Sequence, residues 1–115
     1  MMKKFRQGVR YALTGLTIVW KGELNFRIEI GCAALVIALG FFFGISRIEW
    51  MLVMVSIALV VIAETFNTAL EELCDVFQPT HNPHIAKIKD LSAAAVLLAS
   101  LGALVIGLFV FIPYL

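Results

Sequence analysis

Leu91-Ser-Ala-Ala-Ala-Val-Leu-Leu-Ala-Ser-Leu-Gly-Ala-Leu-Val-Ile-Gly-Leu-Phe-Val-Phe-Ile-Pro-Tyr-Leu115 contains no charged side chain. At a rise of about 1.5 Å per residue, roughly 20 apolar residues in a helix cross a bilayer, and this stretch exceeds that. Two shorter apolar runs precede it. Ile30–Ile45 follows directly on Arg27 and Glu29, and Trp50–Ala63 has only Ser56 as a polar member. Each reaches spanning length only by continuing into its polar flanks, which puts Glu29 and Glu64 near the membrane boundary, where they need partners. The expected architecture is an all-α membrane protein with spans over about 27–45, 49–75 and 90–112.

Composition agrees. The 115 residues suffice for a single domain, 1–115. They are 62% hydrophobic and 15% charged, against about 25% charged in soluble domains. A soluble core of this size cannot bury that much apolar side chain, so part of the solvent is lipid. A net charge of +1 gives no reason to expect a nucleic-acid partner. Cys32 and Cys74 lack metal-like spacing and read as buried free thiols. Residues 3–22 have neither a continuous apolar core nor a cleavage site and do not read as a signal peptide.

Those residues carry Lys3, Gln7, Arg10, Thr14, Thr17 and Lys21 at spacings of three and four, opposite Phe5, Val9, Ala12, Leu13, Leu16 and Trp20. A basic amphipathic helix over about 3–22 would lie in the membrane interface, the alternative being a partner-binding helix packed on the protein itself. Lys and Arg concentrate in this helix, at Arg27 and at Lys87 and Lys89, whereas only Arg47 lies between the first two spans. The positive-inside rule then puts the N-terminus and the 76–90 segment in the cytoplasm, where ATP is available. Pro79 and Pro83 separate the second and third spans within a polar loop, Gln78 to Lys89. Gly40 and Gly44 form a G-x-x-x-G step that permits close helix approach.

The chemistry concentrates where the second span ends. With Glu64 at zero on a helical wheel, Asn67 falls near −60°, Glu71 near −20° and Asp75 near +20°, at about 100° per residue. Glu72 projects away. An ionised carboxylate at bilayer depth costs roughly 2.5–3.5 kcal/mol, and several on one face repel one another. Cations, metal ions or proton transfer compensate such an arrangement. Glu23 ends the amphipathic helix on the same side, and two carboxylates from different helices suit Mg²⁺, which takes one or two carboxylates together with phosphate oxygens and water. Lys89, followed by Asp90, is placed to meet phosphate. Acidic residues for metal, a lysine for phosphate and a spare carboxylate facing lipid are the groups that phosphoryl transfer to a membrane alcohol uses. No P-loop and no protein-kinase segment is present.

The runs E-x-x-N-x-x-x-E-x-x-x-D (Glu64, Asn67, Glu71, Asp75) and K-D-x-x-A-A-x-V (Lys89, Asp90, Ala93, Ala94, Val96), with E-x-N-F-R upstream (Glu23, Asn25, Phe26, Arg27), resemble the small prokaryotic diacylglycerol kinase and undecaprenol kinase family. The resemblance covers nearly the whole chain. It implies a lipid kinase in which Glu64 is general base on the lipid hydroxyl, with Asn67 and Lys89 beside it in the catalytic site. Glu23 and Glu71 would ligate the divalent cation, Mg²⁺ or another, that bridges the phosphates of ATP. Tyr11, Glu23, Glu71, Asp75, Lys89 and Asp90 would form the nucleotide site; Glu64, Arg27 and Ala93 would meet the lipid. It further implies a homotrimer in the bacterial inner membrane, with active sites shared between neighbouring chains. Where the family often has a Glu-Tyr-His-Pro-like stretch, this chain reads Thr80-His81-Asn82-Pro83, and His81 and His84 read as surface loop residues. The E-x-N-F-R segment favours undecaprenol over diacylglycerol as acceptor. A small proton-coupled transporter is the alternative from another class; it usually carries a lone membrane-embedded Glu in the first of four spans.

Overall fold

In the computed structural model, which describes residues 1–77 and 82–115, the chain forms four helices and, among the described residues, no strand. They are α1 (Met2–Gly22), α2 (Leu24–Phe43), α3 (Arg47–Phe77) and α4 (Pro83–Phe111), the last closed by a single 3-10 turn, Ile112–Tyr114. α2, α3 and α4 are each long and apolar enough to cross a membrane. α3 and α4 form the main packed pair, α2 lies against α3, and α1 packs chiefly on α2.

The lengths differ in a way that matters. The 20 residues of α2 span about 30 Å, the thickness of the hydrocarbon core. The 31 residues of α3 exceed that by roughly three turns. A hydrocarbon core about 30 Å thick entered at Arg47 would take in Glu64 within its last turns and leave Glu71 and Asp75 beyond it. Two hydroxyls of α3 bond to their own helix: Ser56 and Thr65 donate to the carbonyls of Leu52 and Val61, four residues back.

α1 and α2 are separated by one residue, Glu23, whose backbone is extended (φ −121°, ψ 109°). Its N–H donates to the Val19 carbonyl, closing α1, and its own carbonyl accepts from the Arg27 N–H, opening α2. Buried Val19 and Phe26 pack this joint, with Trp20 edge-on to Phe26 at 6.5 Å.

The α2–α3 turn is built from Gly44, at φ 64°, where a residue without Cβ takes the left-handed conformation freely. Its N–H and that of Ile45 both return to the Gly40 carbonyl. Ser46 and Glu49 then cap α3 reciprocally: the Ser46 N–H donates to Glu49 Oε1 and the Glu49 N–H to Ser46 Oγ. The Tyr114 hydroxyl donates to the same Glu49 oxygen. Ile45, Val53 and Val110 form the core beneath this turn, with Phe43, Trp50 and Phe111 against them.

Two expectations change. Gly40 and Gly44 are not one helix-packing step: Gly44 makes the turn, while Gly40 receives the Trp50 ring. A Cβ at Gly40 would stand 2.6 Å from Trp50 Cη2, and Phe41, 4.9 Å from that ring between centroids, limits its retreat. Gly40→Val is expected to cost about 1–3 kcal/mol by overpacking, seen as a lower unfolding temperature in detergent, and Trp50→Leu should recover part of the loss. The other change concerns α4, which begins at Pro83 rather than near residue 90. Asn82 Oδ1 accepts from the N–H groups of His84 and Ile85, and Pro83 occupies the first helical position, where its missing N–H costs nothing. His84 is therefore in the first turn of a helix, not a loop. Thr80 and His81 lie outside the described residues.

Candidate active site

Glu64 is 3% exposed, held on the face of α3 turned into the protein. Burying a carboxylate in a membrane-facing bundle is costly without a partner, and the neighbours are acidic: Glu23, Glu29 and Glu71 all lie close enough to act on Glu64 electrostatically. Glu29 adds to the demand. Its Oε2 is buried without a hydrogen-bond partner. It is also the only charged residue, among those described, lining a groove of about 420 Å³ walled by Val36, Val53, Ile57, Val60 and Ala103.

One to three turns further on, the polar face divides into two linked pairs. Asn67 Nδ2 donates to Glu71 Oε1 at 3.2 Å, along the helix. Lys89 Nζ meets Asp75 Oδ1 at 2.6 Å, across to α4. Ser92, 7% exposed on α4, donates through Oγ to Asn67 Oδ1 at 2.7 Å. The face predicted on the wheel is thus real, and Glu72 is exposed beside it. Periodicity on one helix could not show that α4 supplies a partner to each pair. Ser92 carries no signal in an apolar run, and the sequence marks Glu29 only as a residue in need of partners.

The remaining candidates are less engaged. The Arg27 Nη1 donates to the carbonyls of Trp20 and Lys21 at 2.6 and 3.2 Å. Those are unpaired carbonyls of the last turn of α1, so the guanidinium fastens the α1–α2 joint and only its other nitrogens remain for a lipid. Tyr11, Asp90 and Ala93 are exposed on α1 and α4. Cys32 and Cys74 are free thiols; Cys74 is buried as expected, but Cys32 is exposed.

Among the described residues, no three His, Cys, Asp or Glu side chains converge on a single cation position. The donors that are present nevertheless fit a hard cation that takes most of its oxygens from phosphate and water. Glu71 commits one oxygen to Asn67 and keeps the other, and the Glu23 backbone is held between two helices while its carboxylate takes no part in the capping. A cation there would also offset the mutual repulsion around Glu64. The resulting site has a buried carboxylate within an apolar helix, a second carboxylate about two turns further along it and a partly exposed lysine at its rim.

The chain is similar to known proteins along most of its length. The prokaryotic diacylglycerol kinase family matches residues 10–111. The undecaprenol kinase of Bacillus subtilis (strain 168) is 31% identical over 99% of this chain and 93% of its own length. The diacylglycerol kinase of Haemophilus influenzae is 34% identical over 78% of this chain and 76% of its own. That of Escherichia coli (strain K12) is 30% identical over 83% and 78%. The chain belongs to the prokaryotic diacylglycerol kinase family and is, as a member, a helical membrane enzyme of the lipid kinase class.

Proposed function

We propose that the protein transfers the γ-phosphoryl group of ATP to the hydroxyl of a membrane lipid alcohol, undecaprenol in preference to diacylglycerol. What supports this is the order of the side chains along α3. Glu64 is buried within the apolar part of the helix, and Glu71 and Asp75, with Lys89 paired to Asp75, follow toward its polar end. That order suits a lipid hydroxyl at Glu64 and a water-borne nucleotide beyond it. Glu64 takes the hydroxyl proton as that oxygen forms its bond to the γ-phosphorus, the bond to the bridging oxygen breaks and ADP leaves. Asn67 holds Glu71 in place, and Lys89 neutralises charge on the transferring group. Lys89 is free to do so because its partnership with Asp75 is exposed, and such ion pairs are held weakly.

Glu23 and Glu71 would hold a divalent cation, Mg²⁺ being the best match to the donor set. When bound, it would offset phosphate charge and orient the nucleotide. Tyr11 and Asp90 complete the nucleotide side; Arg27 and Ala93 flank the lipid beside Glu64. The N-terminus is cytoplasmic. The exposed apolar faces of the three spans suit a homotrimer in which neighbouring chains share each site.

Undecaprenol is favoured because the match to the undecaprenol kinase of Bacillus subtilis extends over nearly both chains, and because of the E-x-N-F-R segment at Glu23–Arg27. Purified protein given undecaprenol, diacylglycerol and ceramide side by side, with labelled ATP, is expected to label undecaprenol most rapidly. Faster labelling of diacylglycerol overturns the preference, and no labelled lipid at all overturns the kinase assignment for these acceptors.

A further inference from the structure

The relay from α4 to Glu71 has a fixed direction. An ionised carboxylate only accepts hydrogen bonds, so Asn67 must turn its NH₂ group toward Glu71 Oε1. Its carbonyl oxygen Oδ1 then points the opposite way, toward α4. There it stands 2.7 Å from Ser92 Oγ, a hydroxyl that can donate or accept and here must donate. Ser92 is one of only three buried polar side chains among the described residues, with Glu64 and Ser56. Ser56 returns its proton to its own helix, as serines in spans commonly do. Ser92 instead spends its proton across the helix pair.

We infer that Ser92 is a positioning residue for the phosphoryl-transfer site: its hydroxyl locks the Asn67 amide in the orientation that holds the Glu71 carboxylate. Without it, Asn67 Oδ1 loses its donor in a part-buried setting, which is costly, and nothing opposes rotation of the amide. A flipped amide would put oxygen against oxygen at Glu71 and release that carboxylate to other rotamers. Ser92 touches neither substrate nor cation in this scheme, and acts only through Asn67.

The inference rests on Glu71 holding a divalent cation, as proposed above, and the test separates the two. Mn²⁺ binding in the presence of a non-hydrolysable ATP analogue, followed by electron paramagnetic resonance, reads the carboxylate without turnover. Ser92→Ala should weaken Mn²⁺ binding about 10-fold, Ser92→Thr should restore it to within about twofold, and Ser92→Ala should add nothing in a Glu71→Gln background, since interacting residues are non-additive. Unfolding temperatures in detergent read the hydrogen bond itself: the Ser92→Ala, Asn67→Ala double variant should unfold no earlier than the worse single variant. Equal Mn²⁺ losses from Ser92→Ala with Glu and with Gln at position 71, or additive losses of unfolding temperature, would overturn the positioning role. Wild-type Mn²⁺ affinity in Glu71→Gln would instead overturn the cation assignment on which the role depends.

Discussion

Glu64→Gln is expected to lower kcat by roughly 10²- to 10⁴-fold, the usual contribution of a positioned general base, and to leave nucleotide affinity within about twofold. Glutamine keeps the shape of glutamate and can still accept a hydrogen bond, but at neutral pH it takes no proton from an alcohol. The same substitution removes a charge from a residue that is 3% exposed and surrounded by Glu23, Glu29 and Glu71. Its unfolding temperature should therefore be equal to or above that of the wild type, because replacing a strained buried charge by a neutral group relieves desolvation and repulsion together. Loss of turnover with unchanged or increased stability marks a catalytic residue; loss of both would mark a structural one. Labelled-ATP turnover in mixed micelles, equilibrium nucleotide binding and thermal unfolding supply the three readings. A rate near wild type removes Glu64 from the role of base.

How much of this was legible in the sequence depended on whether a feature is local. The three spans follow from apolar run length, and α1 from its two-faced spacing, because both properties belong to a single helix. The start of α4 is legible in principle, but the prolines mislead. Pro79 and Pro83 read as breaks within a loop, whereas Asn before Pro at the first helical position is also how a helix begins, the amide capping two N–H groups. Gly40 and Gly44 show the opposite failure. Their spacing suggested one shared role, but a positive φ at Gly44 and an aromatic ring over Gly40 are separate demands that happen to fall four residues apart. In the site, the wheel brought Glu64, Asn67, Glu71 and Asp75 to one face. It could not give the partners from α4, since which residue of α4 lies opposite Asn67 or Asp75 is set by the packing of two helices joined through residues 78–82. Ser92 is the clearest case: a serine in an apolar stretch most often bonds to its own backbone, and only the distance to Asn67 distinguishes it.

Lys89→Met is the second large effect, with an expected fall in kcat/KM for ATP of roughly 10²- to 10³-fold, in the range found on removing one preorganised electrostatic stabiliser. Methionine preserves most of the length and apolar stem of lysine while deleting the charge, so the loss reports on electrostatics and not on packing. The KM for the lipid should change little, because Lys89 stands at the aqueous rim, beyond Glu64. Stability should change little as well: both partners of the Lys89–Asp75 pair are substantially exposed, 39% and 60%, and pairs of that kind contribute weakly in water. Asp75 then becomes the informative comparison. If it only steadies Lys89 at 2.6 Å, Asp75→Asn keeps the lysine, retains an oxygen to receive its hydrogen bond, and should cost no more than about 10-fold. Raising the salt concentration should narrow the difference between Asp75→Asn and wild type, since an exposed pair is screened. A loss in Asp75→Asn as deep as that in Lys89→Met would give Asp75 a nucleotide contact of its own. A wild-type kcat/KM for ATP in Lys89→Met would leave phosphate neutralisation to the carboxylate-held cation alone and remove Lys89 from the catalytic set.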